Sequence, residues 1–134
     1  MTDAELVAEL LERCRDDHRR WINGDASGYV LPADASLMGA FGGSTTGGPT
    51  TAERQKAFNQ RTWLSGEGDV TLVAGGRSGD VVWLVMIERA KVMFPGAAEP
   101  ARWDLRVTEL FRLVDSAWER FHRHADPLVD IHAL

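Results

Sequence analysis

Apolar positions recur at spacings of three and four over Val7, Leu10, Leu11, Cys14, His18 and Trp21, with Glu9, Glu12, Arg13, Asp16 and Arg20 on the opposite side. That period predicts an amphipathic helix. Thr2 and Glu5 form a capping-box pair at its start. Asn23-Gly24 marks its end, because glycine readily takes the left-handed conformation that closes a last turn. Asp25 can cap a short second helix running towards Val30 and stopping before Pro32. A short strand is expected over Ser36–Phe41, then a glycine-rich loop from Gly42 to Gly48. Thr50 and Glu53 repeat the capping spacing and predict a further helix from about Thr51 to Leu64.

After Gly68 the period drops to two. Strands are expected over Val70–Ala74, Val81–Phe94, Trp103–Val114 and Ala117–Ala125. Gly75-Gly76, the Pro95–Pro100 stretch and Asp115-Ser116 separate them. The run from Val81 is apolar on both alternating sets, as expected of a strand covered on two sides. Helices first and a meander afterwards give an α+β class. The expected form is a cone-shaped, curved antiparallel (mixed) sheet wrapped on the N-terminal helices, with a pocket in its concave face. One set of helices covers only one sheet face, so a second copy of the chain is expected on the other, as a homodimer.

Composition narrows the picture further. A chain of 134 residues holds one core, here a single domain over 1–134. The net charge of −5 offers no long-range pull on nucleic acid or anionic lipid, so neither is an expected partner. No segment is apolar enough over enough length to span a bilayer, and Met1-Thr2-Asp3-Ala4-Glu5 lacks the basic start of a secretion signal. A cytoplasmic location is expected. Cys14 is the only cysteine, which excludes an internal disulfide and a cysteine metal knuckle. No cofactor motif is present. Gly42–Gly48 lacks the Gly-Lys-Ser/Thr ending of a phosphate-binding loop and is read as a connection or a lid.

The densest chemistry is His122-Arg123-His124-Ala125-Asp126. In a strand His122, His124 and Asp126 share one side. They tie the last strand to its neighbours, or line the pocket with His124 as acid or base oriented by Asp126, or place two histidines at a metal-ligand spacing. Glu109 interrupts the apolar row Leu105, Val107, Phe111, Leu113. It is a pocket acid, one half of a buried pair, or a group facing a wet dimer surface, since an unpaired buried charge is expensive. Arg106, on the other row, suits a ligand carboxylate or a structural ion pair. Trp63 and Trp83 are candidate pocket walls or plain core. The candidates are thus His124, Asp126 and Glu109 for catalysis, and Trp63, Trp83, Arg106, His122 and Tyr29 for binding, with no metal assigned.

Three local patterns carry a resemblance. They are Trp21-Ile22-Asn23-Gly24-Asp25, the corner Leu31-Pro32-Ala33-Asp34-Ala35-Ser36-Leu37-Met38-Gly39-Ala40-Phe41, and the closing hairpin. The hairpin joins Arg106-Val107-Thr108-Glu109-Leu110-Phe111-Arg112 to Trp118-Glu119-Arg120-Phe121-His122-Arg123-His124-Ala125-Asp126-Pro127-Leu128. In this order, from about Leu6 to Val129, the chain resembles the nuclear transport factor 2-like superfamily, in particular its SnoaL-like and ketosteroid-isomerase-like members. The resemblance implies a small-molecule pocket, with isomerase, cyclase or dehydratase chemistry on an apolar ligand, or a non-catalytic dimeric assembly module. It also implies an aspartate base in the first strand and a hydrogen-bonding tyrosine near Tyr29. The position of that base is Gly39 here, so steroid isomerisation by the family's route is not expected. Fold alone does not choose among the rest.

Overall fold

A computed structural model describes residues 1–29, 31–40, 45–46 and 63–131, the pair 45–46 by backbone only. Helix α1 runs Asp3–Trp21. The Thr2 hydroxyl accepts from the Glu5 N–H, and the Glu5 carboxylate accepts from the Thr2 N–H, both at 3.1 Å. This capping box satisfies two of the donors a helix start leaves open. Gly24, at φ 95°, closes the far end, with its N–H on the Trp21 carbonyl at 3.0 Å. The buried side of α1 comprises Leu6, Val7, Leu10, Leu11, Cys14, Asp17, His18 and Trp21. The short second helix is a single 3-10 turn, Ser27–Tyr29, entered where the Asp25 carboxylate accepts from the Ser27 N–H.

The strands are β1 Ser36–Met38, β2 Thr45–Thr46, β3 Ser65–Ser78, β4 Val81–Met93, β5 Ala101–Arg102, β6 Leu105–Val114 and β7 Ala117–Pro127. They form one mixed sheet in the order β2-β1-β7-β6-β4-β3, with β5 extending the β6 side of β4. The β1–β7 pairing is parallel, Ser36 opposite His122 and Met38 opposite His124; the other pairings are antiparallel. The sheet is therefore mixed and α1 lies against one face of it, the α+β class read from the sequence. Among the described residues no helix is long and apolar enough to cross a membrane.

β1 ends three residues earlier than expected, and β3 begins five residues earlier and runs on to Ser78, because Gly75 and Gly76 stay paired with Leu84 and Trp83 instead of ending the strand. The segment Ser65–Asp69 carries no hydrophobic alternation, so its pairing with Arg89–Met93 comes from tertiary contact. Its glycines allow that contact. A Cβ at Gly68 would lie 2.0 Å from the Arg89 carbonyl oxygen, and one at Gly66 2.8 Å from that of Ile22, beside the end of α1. Of the helix expected over Thr51–Leu64, residues 51–62 lie outside the described set, as does most of the loop Gly42–Gly48. Trp63 and Leu64 lead into β3, with the Leu64 N–H on the Met93 carbonyl.

Two bulges bend the sheet. One inserts Val73 in β3; the other inserts Phe121 in β7, where Leu110 pairs with His122 but Phe111 pairs with Arg120. A bulge adds one residue to one strand and resets which side chains face inward. Trp63 sits in an aromatic cluster with Trp21, Phe94 and Trp103, at centroid distances of 5.6, 4.8 and 5.1 Å. This cluster fills the space between the end of α1 and the β4–β6 end of the sheet.

The β6–β7 turn places two consecutive non-glycine residues at positive φ, Asp115 at 48° and Ser116 at 68°. Tight hairpins want this geometry, yet a Cβ makes it costly. Ser116→Gly should therefore raise stability by about 0.5–1 kcal/mol, measured as an increased urea midpoint with unchanged slope. An unchanged or lowered midpoint would show that the turn is not strained.

Candidate functional site

The inner face of the sheet carries a chain of ion pairs. Glu88 of β4 stands in the row Val82, Leu84, Met86, Ala90, Val92, and Glu109 of β6 in the row Leu105, Val107, Phe111. Both carboxylates are buried, Glu109 completely. β7 supplies the partners. Arg123 donates to both Glu88 oxygens at 2.8 and 2.9 Å and reaches Glu109 at 3.3 Å. Arg120 Nε lies 2.7 Å from Glu109, its Nη2 donates to Asp17 of α1 at 2.9 Å, and its Nη1 donates to the Gly28 carbonyl at 2.9 Å. The Cys14 thiol donates to Glu109 at 3.1 Å. Strict alternation would put Arg120 and Arg123 on opposite faces. The bulge at Phe121 brings both inside.

Aromatic rings complete the arrangement. The Arg123 guanidinium lies over Tyr29 at 4.9 Å and Trp21 at 5.7 Å; that of Arg120 lies over Tyr29 at 5.0 Å and Phe111 at 5.1 Å. Arg20, at the surface, approaches Asp17 at 4.0 Å. Each guanidinium of the cluster is thus matched by a carboxylate. Gly28 has no room for a side chain, because a Cβ would meet Asp17 Oδ1 at 2.2 Å.

Beside Arg123 a cavity of about 40 Å³ opens, lined by Trp21, Tyr29, Leu31, Leu37, Gly39, Ala40, Leu105, Arg123 and Ala125. Its wall is apolar apart from the guanidinium and the phenol. The volume seats one ordered water or the polar end of a longer molecule. At Gly39 an added Cβ would meet nothing within 4 Å among the described residues.

Burial pushes the Glu109 carboxyl up, but the nearby Arg120 and Arg123 charges, with hydrogen bonds from Cys14 and Arg120, outweigh it and hold the group below its ordinary range. Glu109 is a fixed anion at neutral pH and a poor proton donor. Burial, then the Glu109 charge, push the Cys14 thiol far up. Burial first and Glu88 next raise the Tyr29 phenol. Glu109, Cys14 and Tyr29 therefore serve as a fixed charge and hydrogen-bonding groups rather than as proton carriers near neutrality.

The other sequence candidates lie on the opposite face. His124 and Asp126 stand 3.9 Å apart with side chains 49% and 39% exposed, and Asp126 accepts from Arg106 Nε at 2.7 Å. Trp83 is on this outer face too, 38% exposed. The His122 ring nitrogen Nδ1 lies 2.7 Å from the Ser36 hydroxyl of β1, a contact joining the last strand to the first. The structure thus groups His122, His124, Asp126 and Arg106 on one surface. It keeps them a sheet thickness from Glu109 and Tyr29, and the three catalytic candidates do not converge. Trp63 belongs to the aromatic cluster and does not line the cavity. Among the described residues, no group of three or more His, Cys, Asp or Glu side chains is placed to hold a metal ion.

Sequence reasoning did not find Arg120, Arg123, Glu88, Asp17 or Cys14 as site residues. Glu88 carried the same signal as Glu109, a carboxylate inside an apolar alternating row. Asp17 shares the inner face of α1 with Cys14 and His18.

No protein-family model and no curated protein sequence matches the chain. Solved structures do. A nuclear transport factor 2 superfamily protein from Salmonella enterica superposes with a TM-score of 0.74 at 11% identity, covering 96% of this chain and 95% of that one. A candidate scytalone dehydratase from Novosphingobium aromaticivorans gives 0.72 at 14%, covering 100% and 94%. The CamKII hub homology domain of Chlamydomonas reinhardtii gives 0.66 at 15%, covering 92% and 99%.

Burial lowers the His18 imidazole below its ordinary value; Glu88, Asp69 and Glu109 pull it partly back, and Arg123 opposes them. The unfolded chain takes up a proton on this histidine near pH 6.5, whereas the folded chain resists it. Stability from His18 is complete above about pH 6.5 and falls as the pH drops towards the folded value. His18→Gln should flatten the urea midpoint between about pH 7 and 5.5, leaving the steeper loss at carboxylate pH that Glu109 contributes. An unaltered profile would show that His18 does not titrate differently in the two states.

Across nearly its whole length, then, the chain has the nuclear transport factor 2-like fold.

Proposed function

We propose that the chain binds a small, neutral, largely apolar molecule through an acceptor oxygen at Arg123, and does not use the family's acid–base chemistry. The observation carrying this reading is the setting of Arg123. It is the charged residue on an otherwise apolar wall. Three of its N–H groups are engaged with Glu88 and Glu109 among the described residues. A guanidinium has five such donors, which leaves two for a ligand. Its charge is already matched, so an anion gains little here, while a carbonyl oxygen gains a charge-assisted hydrogen bond. The likeness to candidate dehydratases is compatible with a small-molecule role, and the fixed ionisation of Glu109 argues against proton transfer from it.

The test compares two shape-matched probes, methyl hexyl ketone and octanoate, by protein-observed NMR titration. The ketone should bind saturably and at least about tenfold more tightly than the acid. Gly39→Leu, which adds bulk in open space on the cavity wall, should abolish ketone binding without lowering the melting temperature. Ketone binding that is absent, or unaffected by Gly39→Leu, would defeat the proposal.

A second reading concerns the outer face, and the hub-domain likeness is compatible with it. Trp83, Val73 and Met38 are 38, 61 and 43% exposed there, beside half-buried Val85, Ile87 and Leu110. An apolar sheet face of this kind invites cover by a second copy of the chain. Light scattering should give a dimer mass, and Trp83→Lys should shift it to a monomer that keeps its fold. A monomeric parent chain at high concentration would remove this reading.

A further inference from the structure

A second concavity, of about 350 Å³, lies near the other end of the Leu31–Ala35 segment, lined by Arg13, Leu31, Pro32, Trp118, Glu119 and Arg120. Its size falls within the range of small-molecule sites. Its walls come from α1, the corner before β1 and the start of β7. They are pinned in place. Arg112 holds Asp34 through two contacts at 2.6 and 2.9 Å, and the same guanidinium holds Glu119 at 2.6 and 2.8 Å. The Pro32 side of the groove is thereby fastened to the β6–β7 hairpin, and Glu119 shares the one Arg112 cation with Asp34.

Arg13 differs from the other arginines of this region. Its Nη1 donates to the Trp118 carbonyl at 2.7 Å, and its guanidinium lies over the Phe111 ring at 5.3 Å. Among the described residues it forms no ion pair. Of the nearby acids of α1, Asp16 pairs with Arg19, Asp17 with Arg120 and Glu12 with Arg15, while Glu9, one turn back, contacts no cation among the described residues. The guanidinium is therefore held in place by a carbonyl and a ring, with no carboxylate in contact among the described residues. Arg120 at the base of the groove is neutralised by Glu109 and Asp17. Arg77 lies over the Trp118 indole at 5.2 Å, with its charge 3.9 Å from the Asp3 carboxylate.

We propose that this groove is a binding site for small aromatic carboxylates, with Arg13 holding the carboxylate and Trp118, Leu31 and Pro32 bounding the ring. Arg13 has four N–H donors beyond the one on Trp118, in the planar fork that matches a carboxylate. A guanidinium with no carboxylate in contact suits a monoanion. A flat indole beside apolar Leu31 and Pro32 suits a flat ring. The groove and the Arg123 cavity then differ in preference: the first takes an anion, the second a neutral molecule, and the Leu31 side chain forms part of both walls.

The experiment titrates the full chain with benzoate and with uncharged benzamide, followed by Trp fluorescence and by NMR. Benzoate should bind saturably, with at least about a tenfold advantage over benzamide that shrinks as salt is raised. Arg13→Gln should weaken benzoate by a similar factor and leave benzamide unchanged. Gly39→Leu should leave benzoate binding intact, so the groove and the Arg123 cavity are tested separately. The proposal is overturned by any of three results: no saturable benzoate binding, equal affinity for benzamide, or equal affinity in Arg13→Gln. Loss of benzoate binding in Gly39→Leu would move the anion to the Arg123 cavity and overturn it as well.

Discussion

The fold depends on a row of buried charges running from α1 through β7 to β6 and β4. Asp17, Arg120, Glu109, Arg123 and Glu88 alternate in sign along it, and each contact joins two different elements. Taking these groups out of water costs several kcal/mol per ion, and their mutual attraction offsets that only while the set is complete. Apolar residues of similar volume would pack the same space with less risk. What the ionic version adds is orientation: the bidentate Arg123–Glu88 pair fixes β7 against β4 across the intervening β6 strand. Arg120 also ties down the Gly28 carbonyl, and with it the turn that presents Tyr29.

The same row shapes the chemistry available inside. A carboxylate between two guanidiniums keeps its negative charge, so the buried acid behind Arg123 does not imply a proton donor. The rings of Tyr29, Trp21 and Phe111 lie against the cations, which lets two arginines be buried beside apolar surface. What lines the cavity is then an aromatic and aliphatic wall with the Arg123 guanidinium and the Tyr29 phenol showing.

Much of the architecture was legible in the sequence. The Thr2–Glu5 box, the Asn23-Gly24 stop and the Asp115-Ser116 turn are local devices, and each appears where its residues stand. The alternating rows of β4 and β6 follow from period two alone. β3 was underestimated, because Ser65–Asp69 is polar and glycine-rich and is held by its partner strand. The site was less legible, for a definite reason. Parity reasoning groups His122, His124 and Asp126 correctly on one side, but it does not tell which side is inner. It also separates Arg120 from Arg123, because nothing in the residues around Phe121 announces the extra residue that reverses the count. Glu109 stood out as a carboxylate in an apolar row; its partners were hidden by that bulge.

The parallel pairing of β1 with β7 sets the order in which the chain can be completed. Ser36 and His122 are 86 positions apart, yet they share a hydrogen bond and a strand register. During synthesis the segment around β1 has no neighbour on that side until the ribosome has made the closing hairpin. On this edge the early chain must therefore wait for the late one. Such long-range closure makes for slow folding. In this protein the earliest strand to be synthesised is among the last to find its place.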